Sequence, residues 1–303
     1  MTGSVPVGSG NFSVALLPPI IAKLFGDSYK DVPSLYSQWM DVVKSSMAWE
    51  DIYGISGSGL ARQVGDGQEF PFDSMQTEYR NRFRHQQYGL GMVVTKTIIE
   101  DQQANLVIPQ LTKNLKKSMR EVQEIVATDL LNNAFSGSVL YGDGKALCVS
   151  DHPTKGGTRS NVAAADFNEI SLEQAELDIL DYRDMAGLRI DVKVKQCIIP
   201  TATKAFAHRL LKSDLRPGTA NNDTNYLKDV GFIPSLMVNR YLTDNDSWFL
   251  ITDIDGGPKF FDRVPMSISQ YNHDSTFNQH YMARMRFSVG VGDSVSVYGS
   301  PGG

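Results

Sequence analysis

Apolar residues recur at three- and four-residue steps through Leu111, Leu115, Met119, Val122, Ile125–Val126 and Leu130, with Lys and Glu between them. That period predicts one long amphipathic helix carrying a single buried stripe. Pro109 stands near its start, where a missing N–H costs nothing, and Gly137 is placed to end it. Roughly 27 residues at 1.5 Å rise make a rod of about 40 Å. A second helix is predicted from Leu172, Ala175, Ile179 and Tyr182, opened by a Ser171/Gln174 capping box and closed at Gly187. A short third helix, capped by Thr201 or Thr203, is predicted in TATKAFAHRLLKS.

Elsewhere the period is two. In TEYRNRFRH, Arg80, Arg82 and Arg84 alternate with Tyr79, Asn81, Phe83 and His85, so the arginines share one strand face. Glycines recur from Gly54 to Gly91, and VGDGQEF carries a turn signal, so this region predicts a long two-stranded hairpin. An isolated hairpin is barely stable in water, which points to a cover from another subunit. Cross-strand partners for the arginines are expected in Glu69, Asp73 and Glu78. GMVVTKTIIED predicts a β-rich return to the body. Short strands are predicted at LRIDVKVKQCIIP, LMVNRYL, SWFLITD and KFFDRV, and a long alternating one at HYMARMRFSVGVGDSVSVYG. Residues 1 to about 35 are Gly/Ser/Pro-rich with apolar islands at Val14–Leu17 and Ile20–Phe25, the pattern of an arm lying on another surface. The folded body is expected to begin with Trp39–Met40, Val42–Val43 and Met47–Trp49.

The chain of 303 residues is 41% hydrophobic and 21% charged, which suits a soluble globular protein with a sizeable core. A net charge of −5 argues against a surface that embraces nucleic acid as a whole. Cys148 and Cys197 have no CxxC spacing, which excludes a disulfide framework and points to a reducing compartment. No apolar run approaches the roughly 20 residues that span a bilayer, and no membrane partner is expected.

Candidate chemistry concentrates in CVSDHPTKGG, where Cys148, Ser150, Asp151, His152 and Lys155 crowd together. A thiolate–imidazole hydrolase is one reading, but such partners meet in space rather than within one loop. Asp151 and His152 are more simply bonded to nearby backbone. The other histidines show no metal spacing, so no metal or cofactor is expected. GDGK at Gly142–Lys145 lacks the remaining phosphate-loop residues and reads as a tight turn. DIDGG at Asp253–Gly257 has Val264 where a calcium loop needs glutamate, and it also reads as a turn.

The order of arm, hairpin, long helix and returning terminal strand resembles the major capsid protein of tailed bacteriophages, the Hong Kong 97-type fold, and within it the Mu-like prophage major head subunit. VVTKTIIED is similar to the return from the extended loop, LKKSMREVQEIVATDLLNNAF to the spine helix, and LYGDGKALCVSDHPTKGGTRSN to the segment after it. SLEQAELDILDYRDMAGL resembles a second peripheral helix leading to the axial domain, and SWFLITDIDGGPKFFDRVPMSIS that domain's closing strands. The resemblance implies an α+β fold divided into an N-terminal arm (1–45), an extended hairpin loop (46–92), a peripheral domain with the spine helix (93–187), an axial domain (188–264) and a return to the peripheral domain (265–303).

It further implies a structural role without catalytic residues. The expected activity is self-assembly into pentamers and hexamers of an icosahedral shell around packaged double-stranded DNA, held by non-specific contact. The expected location is the virion capsid, assembled in the host bacterial cytoplasm. Many members begin with a scaffold-like segment that is later removed. This chain starts almost at the arm, so a separate scaffolding protein is expected, together with a portal. No lysine lies between Gly54 and Gly91, so no hairpin crosslink to a neighbour is expected. Residues expected at subunit contacts are Val14, Leu17, Ile20 and Phe25 of the arm, Arg62, Glu69, Arg80, Arg82 and Arg84 within the hairpin Arg62–His85, and Lys116, Lys117, Arg120, Glu121 and Glu124 on the charged face of the long helix. An encapsulin-type nanocompartment is the alternative that shares this fold. A Cys/His/Asp hydrolase, or a nucleic-acid-binding module using the arginine strand, would belong to other classes.

Overall fold

The structure, a computed structural model, describes residues 34–73, 77–100, 104–154, 157–215, 224–272 and 278–303. The arm positions Val14, Leu17, Ile20 and Phe25 lie outside the described residues, as does Lys155. The described residues form two compact units, the first from 34–35, 85–124 and 262–288, the second from 36–84, 125–261 and 289–303.

The first unit is built on antiparallel strands. Strand β4 (Gln86–Val94) pairs with β11 (Gln279–Val291), and β11 is flanked on its other edge by β10 (Pro258–Asn272). The alternation read in HYMARMRFSVGV is real, because Gln279, Tyr281, Ala283, Met285 and Phe287 are all buried. The strand ends at Val291 rather than running on, and Val297–Ser300 is a separate strand of another sheet. Tyr88 and Phe287 stack with centroids 4.8 Å apart. The segment KFFDRV belongs to a 15-residue strand rather than a short one. TKTIIE is not strand, since Lys96–Glu100 forms helix α1, whose first turn Thr95 caps by accepting from the Ile98 N–H.

Helix α2 (Ala104–Asn132) is the long helix, 29 residues with Pro109 in its second turn, and it ends at Asn132 rather than Gly137. Its buried stripe is rotated from the expected one. Ile108, Leu115, Met119, Ala127 and Leu131 are buried, with Thr112, Lys116, Gln123, Glu124 and Thr128 beside them, while Ile125 is 43% exposed. The expected face counted only apolar residues, whereas the buried face takes polar side chains that find partners. Glu124, for one, accepts from the Leu35 N–H at 2.8 Å.

In the second unit a four-stranded sheet runs in the order β12 (Val297–Ser300), β9 (Trp248–Thr252), β7 (Val194–Ile199), β8 (Leu236–Val238), antiparallel except for β7/β8. Its core joins α3 (Glu169–Leu180), α4 (Lys204–Lys212) and α5 (Tyr226–Val230) to the sheet through Leu172, Ile179, Leu210, Leu227, Trp248 and Tyr298. The α3 cap lies three residues upstream of the expected one. Asn168 is the N-cap, its side chain accepting from the Ser171 N–H at 2.9 Å while Ser171 Oγ accepts from the Asn168 N–H at 3.0 Å. The helix ends at Leu180 with Asp181 as C-cap, and Gly187, at φ 91°, shapes a later turn. Thr203 is the N-cap of α4 without a side-chain cap bond, its hydroxyl donating to the Asn245 carbonyl instead. Trp39 and Met40 are buried, and Tyr36 stacks on Phe260 at 4.3 Å. Val42, Val43, Met47 and Trp49 are exposed.

Candidate functional site

The hairpin is real but shorter than expected. Strands β2 (Trp49–Ile55) and β3 (Thr77–Arg84) pair antiparallel with Trp49 opposite Arg84, Asp51 opposite Arg82 and Tyr53 opposite Arg80. The segment between them contains the turn at Asp66–Gly67, where Gly67 takes φ 77° and the Gln68 N–H donates to the Gly65 carbonyl. Arg62 and Glu69 are exposed within that loop.

Period two divides the hairpin into unlike faces. Tyr79 and Asn81 are buried, and Asn81 Nδ2 donates to the Val291 and Gly292 carbonyls at 3.3 and 3.4 Å. Phe83 stacks on Phe261 at 5.6 Å and passes so close to Gly290 that a Cβ there would lie 1.9 Å from its ring. The other face is open. Trp49, Tyr53 and Ile55 are exposed there beside Arg80, Arg82 and Arg84. Arg82 makes a bidentate pair with Asp51, both contacts at 2.8 Å, and lies over the Trp49 ring at 4.8 Å. The Asp51 carboxyl is held below its usual range by the Arg82 hydrogen bond, which outweighs the opposing effect of burial, with the charges of Arg82 and Arg80 adding less. This corrects the expected pairing. Asp51, 31 residues away in sequence, is the Arg82 partner, while Asp73 accepts from the Gly59 N–H at 2.7 Å and Glu69 stands in the loop. The loop itself presents Leu60, Phe70 and Phe72 to solvent, the last 92% exposed.

The long helix supplies only part of its expected charged face. Lys117 is exposed, and Arg120 and Glu121 are half-buried with Arg120 Nη1 donating to Gln123 Oε1 at 3.0 Å. Lys116 and Glu124 are 3% and 4% exposed, so they belong to the inner face of their own subunit.

In the CVSDHP loop Ser150 is exposed, but the thiol and the imidazole are both closed off from solvent. Cys148 is buried, and burial pushes its thiol well above the usual range. His152 Nδ1 donates to Asp143 Oδ2 at 2.6 Å with both side chains buried, 1% and 5% exposed. On the other side, His152 Nε2 lies 3.2 Å from the Leu147 carbonyl and 3.2 Å from Asn161 Oδ1. The Asn161 orientation is fixed because its Nδ2 donates to the carbonyls of Leu147, Ser294 and Val297. Both ring nitrogens therefore face oxygen atoms, and the ring is held between the Asp143 carboxylate on one side and two carbonyl-type acceptors on the other. Burial alone would raise the Asp143 carboxyl, but the His152 and Lys145 hydrogen bonds and the imidazole charge bring it below its usual range. Asp151 pairs with Lys145 at 2.5 Å. Gly142–Lys145 is a tight turn with Gly144 at φ 79°, and Gly256 at φ 102° does the same in DIDGG. Among the described residues no three His, Cys, Asp or Glu side chains gather as a metal site.

The profile of the phage capsid protein family matches residues 79–299, most of the chain, from within β3 to within β12. This chain belongs to the phage capsid protein family. Comparison with curated proteins finds no significant match. Solved structures share the fold of the capsid protein. The virus-like particle of Pyrococcus furiosus is 9% identical over 93% of this chain and 98% of that one, with a TM-score of 0.52. The procapsid of bacteriophage JBD30 is 15% identical over 95% and 76%, with a TM-score of 0.51. The capsid of an empty GTA particle is 13% identical over 99% and 94%, with a TM-score of 0.53. At such identities the likeness shows the fold, which is the mixed α+β, Hong Kong 97-type architecture. The family shows the role, a structural protein of a phage capsid.

Proposed function

We propose that this capsid protein is the major head subunit, that it assembles into the pentamers and hexamers of an icosahedral shell around double-stranded DNA, and that it performs no catalysis. The observation that carries this reading is the open face of β2–β3. Trp49, Tyr53 and Ile55 are large, apolar and exposed beside three arginines on a two-stranded ribbon, and such a face becomes stable when a neighbour covers it. Head-to-tail contacts of one surface with a different surface close into rings and shells, so each copy can be covered by the next. Assembly takes place in the bacterial cytoplasm with a scaffolding protein and portal. The division into arm, hairpin loop, peripheral and axial domains is part of the same proposal.

The test is negative-stain microscopy of the purified protein beside the Tyr53→Asp/Ile55→Asp variant. Closed shells or capsomer rings are expected for the parent, and isolated subunits with unchanged circular dichroism for the variant. A parent that remains a monomer at high concentration would overturn the proposal, and a variant that assembles normally would remove the hairpin from it. Nuclease-protected DNA inside particles made during infection is the expected cargo result.

A further inference from the structure

Helix α3 presents an outer face that its own subunit does not bury. Ile170, Leu177 and Leu180 are 72%, 61% and 59% exposed, and they recur at seven- and three-residue steps along one side. Glu173 and Glu176 stand on that side, and the helix EISLEQAELDIL contains no basic residue. Tyr226 and Val230 of α5 are also exposed, and the Tyr226 phenol is pushed up first by the Glu176 charge, then by burial, with a hydrogen bond to Glu176 adding less, which places Tyr226 at the edge of the same patch. The result is an apolar stripe bordered by carboxylates.

The open face of β2–β3 has the opposite pattern, an apolar row of Trp49, Tyr53 and Ile55 beside Arg80, Arg82 and Arg84. Arg82 pairs with Asp51, and among the described residues Arg80 and Arg84 form no ion pair, so they are placed to meet an acidic partner. Four residues of strand carry Arg80 to Arg84 over about 14 Å. Ten residues of helix carry Ile170 to Leu180 over about 15 Å. Two faces of matched length, both apolar along the middle and of opposite charge at the border, suit one another.

We propose that the open face of β2–β3 in one copy docks on the outer face of α3 in a second copy, with Trp49, Tyr53 and Ile55 against Ile170, Leu177 and Leu180, and Arg80 and Arg84 against Glu173 and Glu176. This rests on the reading of the hairpin as a contact surface and names its seat. The contact is head-to-tail, since the two surfaces differ, and so it propagates from copy to copy.

Charge exchange tests it. Arg80→Glu/Arg84→Glu and Glu173→Arg/Glu176→Arg should each lower particle yield, read by sedimentation and microscopy, by at least about tenfold, the effect of roughly 1.4 kcal/mol per contact. The four changes combined in one chain should restore at least half of the parent yield. In a second measurement, chains carrying Tyr53→Cys and chains carrying Leu177→Cys are co-assembled and oxidised. A disulfide-linked species of twice the chain mass is expected, and chains carrying either cysteine alone should not give it. Failure of both the rescue and the disulfide overturns the seat. Hairpin variants that stop assembly while α3 variants assemble normally overturn the seat and leave the hairpin as an interface. Normal assembly by both sets overturns the seat and the hairpin reading together. Normal assembly with loss of retained DNA in the arginine variant would give the hairpin to nucleic acid and likewise overturn the seat.

Discussion

Replacing His152 by Ala is expected to destabilise the second unit severely, although the residue sits in a polar loop. In the folded chain His152 Nδ1 lies 2.6 Å from the Asp143 carboxylate, and both side chains are almost fully buried. Removing the ring leaves the buried Asp143 carboxylate without its main partner, and an uncompensated buried charge of this kind costs about 3–5 kcal/mol. The Lys145 N–H still donates to Asp143 Oδ1 at 3.0 Å, so the lower part of that range, about 3 kcal/mol, is expected. With a urea slope of about 3 kcal/mol per molar, the midpoint falls by about 1 M. The measurement belongs on dilute, unassembled subunits, because assembly would stabilise the fold by mass action. Tryptophan emission reports it, since Trp39 and Trp248 are buried.

The pH dependence gives a second readout for the same variant. The folded Asp143 carboxyl is below its ordinary value, so its contribution is fully present above the unfolded pKa and is lost as pH falls through the folded one. The parent should therefore lose stability progressively as pH drops below about 5. In His152→Ala the main lowering partner is gone while burial remains, so the Asp143 part of that acid slope should vanish. A stability loss under about 1 kcal/mol, or an acid slope unchanged from the parent, would refute the buried pair.

Gly290→Ala puts a Cβ against the Phe83 ring and should cost about 1–3 kcal/mol, read by thermal unfolding, with Phe83→Leu in the same chain recovering part of it. Asn168→Ala removes the α3 cap and should cost about 1 kcal/mol by urea titration, more than the same change at Gln174, whose side chain donates to Asp178 on the helix surface. Cys148 and Cys197 should react with a thiol reagent only as the chain unfolds, because burial both shields them and raises their pKa. Labelling of either thiol at the rate of a free cysteine in the folded subunit would contradict that.

Local periodicity carried far. The alternation of Arg80, Arg82 and Arg84 against Tyr79, Asn81 and Phe83 is a backbone property of a strand and needs no knowledge of the fold, and β11 was legible for the same reason. What required the third dimension was partner choice. Lys116 and Glu124 look like surface charges in a helical repeat, yet both are buried, and nothing in their spacing says so. The Arg82–Asp51 pair spans 31 residues and depends on the hairpin register, which the extent of the loop between the strands decides. The α3 cap was displaced by one turn because Asn168 and Ser171 form a reciprocal pair as good as the Ser171/Gln174 motif.

The two motifs that fail as chemistry meet in the structure. GDGK lacks the residues of a phosphate loop and CVSDHP keeps both its thiol and its imidazole buried, but Asp143 from one and His152 from the other form a single buried pair. Asn161 links it to the carbonyls of Ser294 and Val297 near the end of the chain. Groups suited to catalysis are thus consumed in tying the post-helix loop to the C-terminal segment. A subunit whose hairpin face is left open has reason for such internal ties. The apolar area on that face contributes nothing until a neighbour covers it, so the isolated chain must hold its loops by polar contacts of its own. For this reason stability and assembly should separate by residue. Changes at Asp143, His152 or Asn161 act on the monomer, whereas changes at Tyr53, Arg80 or Arg84 leave the monomer intact and act only when copies meet.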